Sequence, residues 1–457
     1  MAPQFADPAA ASRPVHVVTP EGLEGYLAGS PQAGWLRASG FEAGLGELRL
    51  LPGPAGVAGA VAGLGTDKAR RRSRFGLARA FAALPSGEWH LEGDLSPELA
   101  TEAALAALLG AYRFDRYRKG KADTPARIRA PAGLDAARLQ AMAAGEFLTR
   151  DLINTPAQDM GPAELEQAAR DLAAAHGARV EVTTGDDLLP GFPMIHAVGR
   201  ASPRAPRLID LRWGDAGPRL TLVGKGVCFD TGGLNIKPSA GMNLMKKDMG
   251  GAANVLGLAR MIMALNLPLR LRVLIPAVEN MISGNALKPK DILTSRKGLT
   301  VEVNDTDAEG RLVLADALAL ACEEATDALI SMATLTGAAR VAVGPDLAPY
   351  FTDDEGMAQA LEVGAKAGFD PVWRLPFHDA YESVIEPGIA DLDNAPGFGF
   401  AGSITAALFL RRFAEHPRYM HFDIYGHTPT DAPARPKGGA GQGARAILGA
   451  LPAILGL

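Results

Sequence analysis

The sequence predicts an α/β protein of two domains: a smaller N-terminal α/β domain, and a larger C-terminal domain with a mainly parallel central sheet covered by helices. Three observations carry this. The chain has 457 residues, 47% of them hydrophobic, enough for two sizeable cores. From Thr155 onward, strand-like and helix-like stretches alternate, as repeated βα units do. Residues 118–133 are rich in Arg, Lys, Pro and Gly and separate the two halves. The expected division is therefore 1–132 as the N-terminal domain, 133–152 as a connecting helix, and 153–457 as the second domain.

Taken in order, residues 15 to 130 mix short strand-like runs with Ala-rich helical ones. Ser96 is a natural N-cap and Pro97 suits the first helical position, so a helix is expected from Pro97 to Leu109. Asp135 to Leu152 reads as the connecting helix. Further helices are expected at Ala163–His176, Gly251–Ala264 and Gly310–Glu324 from their apolar spacing. Strands are expected at Arg179–Thr183, Leu208–Trp213, Leu220–Val223, Leu269–Ala277 and Ala328–Thr334. Gly298–Val303 alternates like a half-buried strand and is expected to feed the helix that starts near Gly310.

Composition excludes several classes. The formal net charge of −5 argues against a general nucleic-acid or anionic-membrane binder. The basic runs Lys68–Arg74 and Arg113–Lys121 read as solvated faces. The N-terminus lacks the cationic start and apolar stretch of a secretory signal, and no apolar run approaches the ~20 residues that span a bilayer. Cys228 and Cys322 form no C-x-x-C pair, which suits a reduced, cytoplasmic protein. No H-E-x-x-H pair and no G-x-S-x-G elbow is present. Gly439–Ala444 matches a relaxed dinucleotide pattern, but no strand is expected before it. His421 and His427, which flank Asp423, read as structural residues.

Chemistry concentrates in two stretches. The first holds Lys225, Asp230, Lys237 and Asp248 in a Gly-rich segment after an expected strand. The second is Asn304-Asp305-Thr306-Asp307-Ala308-Glu309-Gly310-Arg311, at an expected strand-to-helix junction. An isolated Asp307 could be a helix cap, and Glu309 could complement a helix dipole. Several carboxylates together would repel one another, whereas hard oxygen ligands suit divalent cations. A dinuclear metal site resolves the repulsion and can hold a nearby lysine neutral.

Lys225-Gly-Val-Cys-Phe-Asp230-Thr-Gly-Gly, Met242–Ala253 and Thr306-Asp-Ala-Glu-Gly-Arg-Leu resemble the leucyl aminopeptidase (cytosol aminopeptidase) family of metallopeptidases. The similarity runs from about Arg150 to the C-terminal tail, including Ala333-Thr-Leu-Thr-Gly337-Ala, and is weaker in the N-terminal half. The resemblance implies two metal ions per subunit, Mn or Zn with Mg or Co as further options. Asp230 and Glu309 would bridge them, Lys225 and Asp248 would complete the tighter site, and Asp307 the more exchangeable one. A water between two cations has a lowered pKa and serves as hydroxide. The resemblance also implies that Lys237 stabilises an oxyanion and that Arg311 holds a bicarbonate acting as general base. A guanidinium fork fits such an anion. Met245, Thr334, Leu335 and Gly337 match substrate-binding positions. The implied activity is removal of N-terminal residues, bulky apolar ones such as leucine preferred, from peptides with a free N-terminus, by a homohexamer.

Two positions depart from the family pattern. Asp305 stands where many members have Asn, and Lys247 is charged where many are neutral. The other readings open to the sequence are a narrow Cys-Gly-type dipeptidase and a DNA-binding regulatory protein on the same scaffold.

Overall fold

The computed structural model describes residues 3–119 and 125–457. Gly120 and Lys121, the end of the second basic run, lie outside the described residues, as does part of the expected boundary stretch. The chain forms two compact units. One contains the residues up to Phe147 together with Thr430–Lys437, and the other Leu148–Pro429 and Gly438–Leu457. No helix among the described residues is long and apolar enough to cross a membrane.

In the first unit, strands β1 (Arg13–Val18), β2 (Leu48–Gly53), β3 (Gly56–Gly63), β4 (Gly87–Glu92) and β5 (Ala126–Ile128) form a sheet in the order β2-β3-β1-β4-β5. All its pairings are parallel except β2 with β3. Helix α1 (Pro97–Gly110) starts as the sequence predicts, with the Ser96 hydroxyl accepting from the Leu99 N–H at 3.3 Å. It contributes Leu105, Leu108 and Leu109, all buried, to this unit's interior.

The second unit is organised by a larger sheet. Its strands are β6 (Arg179–Thr184), β7 (Arg207–Trp213), β8 (Arg219–Gly224), β9 (Gly226–Asp230), β10 (Arg270–Asn280), β11 (Ala328–Ala333), β12 (Ala348–Phe351), β13 (Val372–Arg374) and β14 (Tyr419–Asp423). Their order is β13-β12-β14-β11-β8-β10-β7-β6, with β9 also paired to β10. The centre, β14-β11-β8-β10, is parallel. Antiparallel pairings lie outside it, where β12 meets β14, β7 meets β10 and β6 meets β7. Every residue of β11 is buried, and all but the first of β8 and β10. Unbroken apolar runs of this kind mark strands covered on both faces.

Helices α2 (Ala136–Asn154), α3 (Pro162–His176), α4 (Gly250–Ala264) and α5 (Gly310–Cys322) fall within a few residues of expectation. Two expectations need correction. The stretch 298–303 forms only a three-residue strand, Thr300–Glu302. It pairs with Ile292–Thr294 and Leu392–Asp393 in a separate small sheet and not in the central one. Thr300 and Glu302 interrupt its apolar residues, and a strand between two helical layers needs apolar residues on both faces. The sequence also places Asp248 at the opening of the helix after it, and it does not open that helix: a single turn, Met245–Lys247, precedes it and α4 begins at Gly250.

The parallel centre explains where the polar residues gather. β8 ends just before Lys225, β9 at Asp230, β10 at Asn280, β11 just before Thr334 and β14 at Asp423. All five strand ends lie on the carboxyl edge of one sheet, the edge where α/β folds place their ligands.

Candidate active site

Lys225 emerges from β8 fully surrounded. Its Nζ lies 2.6 Å from Asp248 Oδ2 and 3.1 Å from Glu309 Oε1, and donates to the Thr334 carbonyl at 3.2 Å. Asp230, Asp307 and Glu309 each offer a carboxylate oxygen within 4.8 Å of the other two. Lys237 Nζ lies 2.9 Å from Asp230 Oδ2 and pairs with Asp307 Oδ1. The two stretches singled out in the sequence thus converge on one cluster of four carboxylates and two lysines.

Asp307 does not cap α5. The residue before that helix is Glu309, which makes no side-chain cap bond. Glu309 is 1% exposed, so its carboxylate is not a solvated dipole partner either.

The electrostatics call for more positive charge than the lysines give. Burial and the neighbouring Asp230 push the Glu309 carboxyl well above its usual range. The same two causes push Asp307 up to about 6, against Lys237. Burial alone would lower Lys225, but Asp248, Glu309 and Asp230 raise it. Asp248 Oδ2, Asp307 Oδ1 and Glu309 Oε1 are buried and face only the lysine ammoniums, while Glu309 Oε2 is buried with no hydrogen-bond partner among the described residues. Leaving a buried acceptor such as Glu309 Oε2 without a donor costs roughly 1–3 kcal/mol. Four hard, anionic carboxylates converging against only two lysines fit a divalent cation, so the residues present suit the metal ions that the resemblance implies.

Residues outside the expected ligand and substrate-binding set fix this cluster, two of them, Asn280 and Asn394, unmarked by any motif. Asn280, buried at the end of β10, donates through Nδ2 to Asp230 Oδ1 at 2.8 Å and to the Thr306 carbonyl at 3.0 Å. The Gly232 N–H also donates to Asp230 Oδ1, at 2.8 Å. Gly232 has φ +87°, and a Cβ there would stand 2.5 Å from the Asn235 carbonyl, so the turn requires glycine. The Thr306 hydroxyl donates to the Gly232 carbonyl at 2.6 Å and ties the two acidic loops together. Asn394 accepts from the N–H groups of Asn304 and Asp305 and donates to the Asp305 carbonyl, holding the loop from its other side. Asp305 itself accepts from the Asp307 N–H at 2.9 Å, a turn that an asparagine oxygen could also make. Buried polar residues that close an apolar strand, as Asn280 and Asp423 do, are the signal that could have revealed this set.

The remaining expected site residues lie around this frame. The Thr334 hydroxyl is 2.9 Å from Asp248 Oδ1 and 2.9 Å from the Asp248 carbonyl, so it is turned toward the carboxylates. The Leu335 N–H is taken by Asp423 Oδ1 at 3.1 Å. Asp423 also accepts from the Thr336 N–H, the Thr336 hydroxyl and the Ser403 hydroxyl, so the 334–337 loop hangs on one buried carboxylate. Gly337 opens the helix Gly337–Val343, capped by the Thr336 hydroxyl. Met245 is half-buried, and its carbonyl accepts from the Asp248 N–H at 3.2 Å. Arg311 is buried in the first turn of α5, and its Nε has no hydrogen-bond partner among the described residues. His421 bonds Ser331 through Nδ1 at 2.8 Å. Burial and the nearby Arg311 push it down to about 3, so it is a neutral structural residue.

Residues 147–448 match the family model described as the cytosol aminopeptidase family, catalytic domain. The chain belongs to that family. Residues 13–131 match the model for the M17 aminopeptidase N-terminal domain. A relative called probable cytosol aminopeptidase, from Synechococcus sp. (strain JA-3-3Ab), is 44% identical over 319 residues, which are 68% of this chain and 62% of the relative. The matched stretch thus spans less than two thirds of that relative's length. The crystal structure of the cytosol aminopeptidase from Coxiella burnetii is similar with a TM-score of 0.92 and 42% identity, covering 97% of this chain and 98% of that one. The bottromycin maturation enzyme BotP, solved in complex with Mn, is 32% identical with a TM-score of 0.87, covering 97% of this chain and 99% of BotP.

Proposed function

We propose that the protein is a metal-dependent aminopeptidase that hydrolyses the first peptide bond of peptides with a free N-terminus, bulky apolar first residues such as leucine among its substrates. The observation that carries this is the convergence of the buried carboxylates of Asp230, Asp248, Asp307 and Glu309 on Lys225 and Lys237, four anions against two cations. In this reading Lys225, Asp230, Asp248, Asp307 and Glu309 would together hold two divalent ions. When bound, such ions supply Lewis acidity and lower the pKa of a water. The complex of BotP with Mn makes manganese the first metal to try, with zinc, magnesium and cobalt as comparisons.

The chain's own residues divide the remaining work. Lys237 reaches the cluster from the side of Asp307 and carries an ammonium suited to a developing oxyanion. Arg311, buried with an unpartnered Nε, is the candidate holder of bicarbonate, a planar anion that a guanidinium fork can grip. The 334–337 loop, fixed by Asp423, would present the Leu335 carbonyl to the substrate amine or amide. Met245 would line the pocket for the first side chain. An exopeptidase follows because a cluster that takes up the free α-amine gives no equivalent hold on an internal peptide. A homohexamer working in the cytoplasm, with the N-terminal unit serving assembly, is the accompanying proposal from the family resemblance.

The test is hydrolysis of Leu-p-nitroanilide by chelator-treated protein with Mn, Zn, Co or Mg added back. An N-acetylated substrate and the Glu309→Ala variant run beside it. Turnover that needs metal, a free amine and Glu309 is expected. Folded protein that turns over nothing with any metal would refute the reading.

A further inference from the structure

Beside the carboxylate cluster lies a cationic patch that the reaction as proposed leaves unused. Lys247 is 7% exposed and follows Met245 in the turn that leads to Asp248. Its Nζ lies 5.0 Å from the centre of the Tyr425 ring, and the Arg340 guanidinium carbon lies 5.1 Å from the same ring. Among the described residues neither cation has a carboxylate within ion-pair distance. Asp248 is engaged by Lys225 at 2.6 Å, and Asp423 already accepts from four donors. The neighbouring Lys246 is different, since it donates to the Asn154 carbonyl at 2.7 Å.

The patch borders the substrate-facing loop. A Cβ at Gly426 would stand 3.2 Å from Thr334 Cγ2, and one at Gly250 would stand 2.9 Å from the same atom. Tyr425 therefore belongs to a segment packed against Thr334, and Arg340 lies on the helix that Gly337 opens. Met245, Lys247, Thr334, Arg340 and Tyr425 thus form one neighbourhood around Asp248. Lys247 is buried with Asp248 and Asp423 acting on it only from beyond ion-pair distance, Arg340 is exposed at the rim, and a cation–π contact returns only about 0.5–2 kcal/mol. The positive potential that remains will favour an anionic ligand in this neighbourhood. In an aminopeptidase the α-amine goes to the metals and the rest of the peptide leaves across the scissile bond. The group free to reach this wall is the first side chain.

We propose that Lys247 and Arg340, held on the Tyr425 ring, form a positive end to the first-residue pocket and favour an N-terminal glutamate over its uncharged isostere glutamine and over lysine. The proposal rests on the aminopeptidase reading above and names a substrate class for that site. The departure of Lys247 from the family pattern then has a function in selecting substrate.

The experiment compares kcat/KM for Glu-, Gln-, Lys- and Leu-7-amido-4-methylcoumarin with the Mn-supplemented full chain. The wild type is run against Lys247→Met and Arg340→Met. A charge-assisted contact predicts a Glu to Gln ratio of about tenfold or more, carried by KM, and near-exclusion of Lys. In Lys247→Met the ratio falls toward one, and competitive inhibition by free glutamate weakens to that of free glutamine. A wild-type ratio of one or below, or a ratio unmoved by Lys247→Met, would overturn the proposal. Hydrolysis of the Leu substrate by the wild type separates this result from a failure of the aminopeptidase reading.

Discussion

Replacing Thr334 by valine would separate two roles for this residue. Its hydroxyl lies 2.9 Å from both Asp248 Oδ1 and the Asp248 carbonyl, and the residue is buried. Valine keeps the shape and removes the donor. A hydrogen bond to a charged acceptor contributes roughly 1.5–3 kcal/mol. At about 1.4 kcal/mol per decade, that is about a 10- to 150-fold loss in affinity for a metal held by Asp248. Residues that hold a metal ligand in place typically show losses of about 10- to 100-fold. The assay is a titration with chelator-buffered Mn, read by calorimetry and by Leu-p-nitroanilide turnover, with Thr334→Ser as the variant that keeps the hydroxyl. Thr334→Val should need more Mn for half-maximal turnover, and Thr334→Ser should stay near the wild type. Unchanged Mn affinity with a raised KM at saturating Mn would mean that the hydroxyl serves substrate directly, and the reasoning would fail.

Three more outcomes are expected. A Cβ at Gly310 would stand 2.5 Å from Lys225 Cε, so Gly310→Ala should displace the clamped lysine and reduce kcat on the order of 100-fold while the circular dichroism spectrum stays native. His421 is held neutral in the fold, with its pKa pushed down to about 3 by burial and Arg311. Its stabilising contribution is complete above the unfolded value near 6.5 and is lost as pH falls toward 3. Between pH 6.5 and 5 this amounts to at most about 2 kcal/mol, and the pH dependence of urea unfolding should flatten by that amount in His421→Asn. Asp423→Ala strands two N–H groups and two hydroxyls and should both lower the melting temperature and raise KM through a loosened 334–337 loop. Asp423→Asn should be milder, because the hydroxyls of Thr336 and Ser403 can turn to accept from the new amide. Equal melting temperatures and KM values for the two variants would count against that account.

The acidic cluster was legible because its chemistry is written in short stretches. Lys225, Asp230, Lys237 and Asp248 lie in one stretch around β9, and Asp307, Glu309 and Arg311 in another at the start of α5, so the members of each group are near one another along the chain. The central strands were legible for a similar reason, since unbroken apolar runs such as Leu220–Val223 and Ala328–Ala333 leave little choice but burial on both faces. The strand 298–303 was not, because alternation fixes a face without saying which sheet the strand joins.

Fold class and family were thus readable from the chain alone, as was the grouping of the acidic residues into two stretches. Only the tertiary structure decided that Asn280 and Asp423 belong to the site. Each lies outside both motifs in the chain, and the carboxyl edge of the sheet brings them to Asp230 and to the 334–337 loop. It also decided that Thr334 turns to Asp248 and that Lys247 shares the Tyr425 ring with Arg340. Hydrogen bonds and ring contacts depend on ångström-scale separations between segments 50 to 180 residues apart. Periodicity and local motif chemistry carry no information at that range.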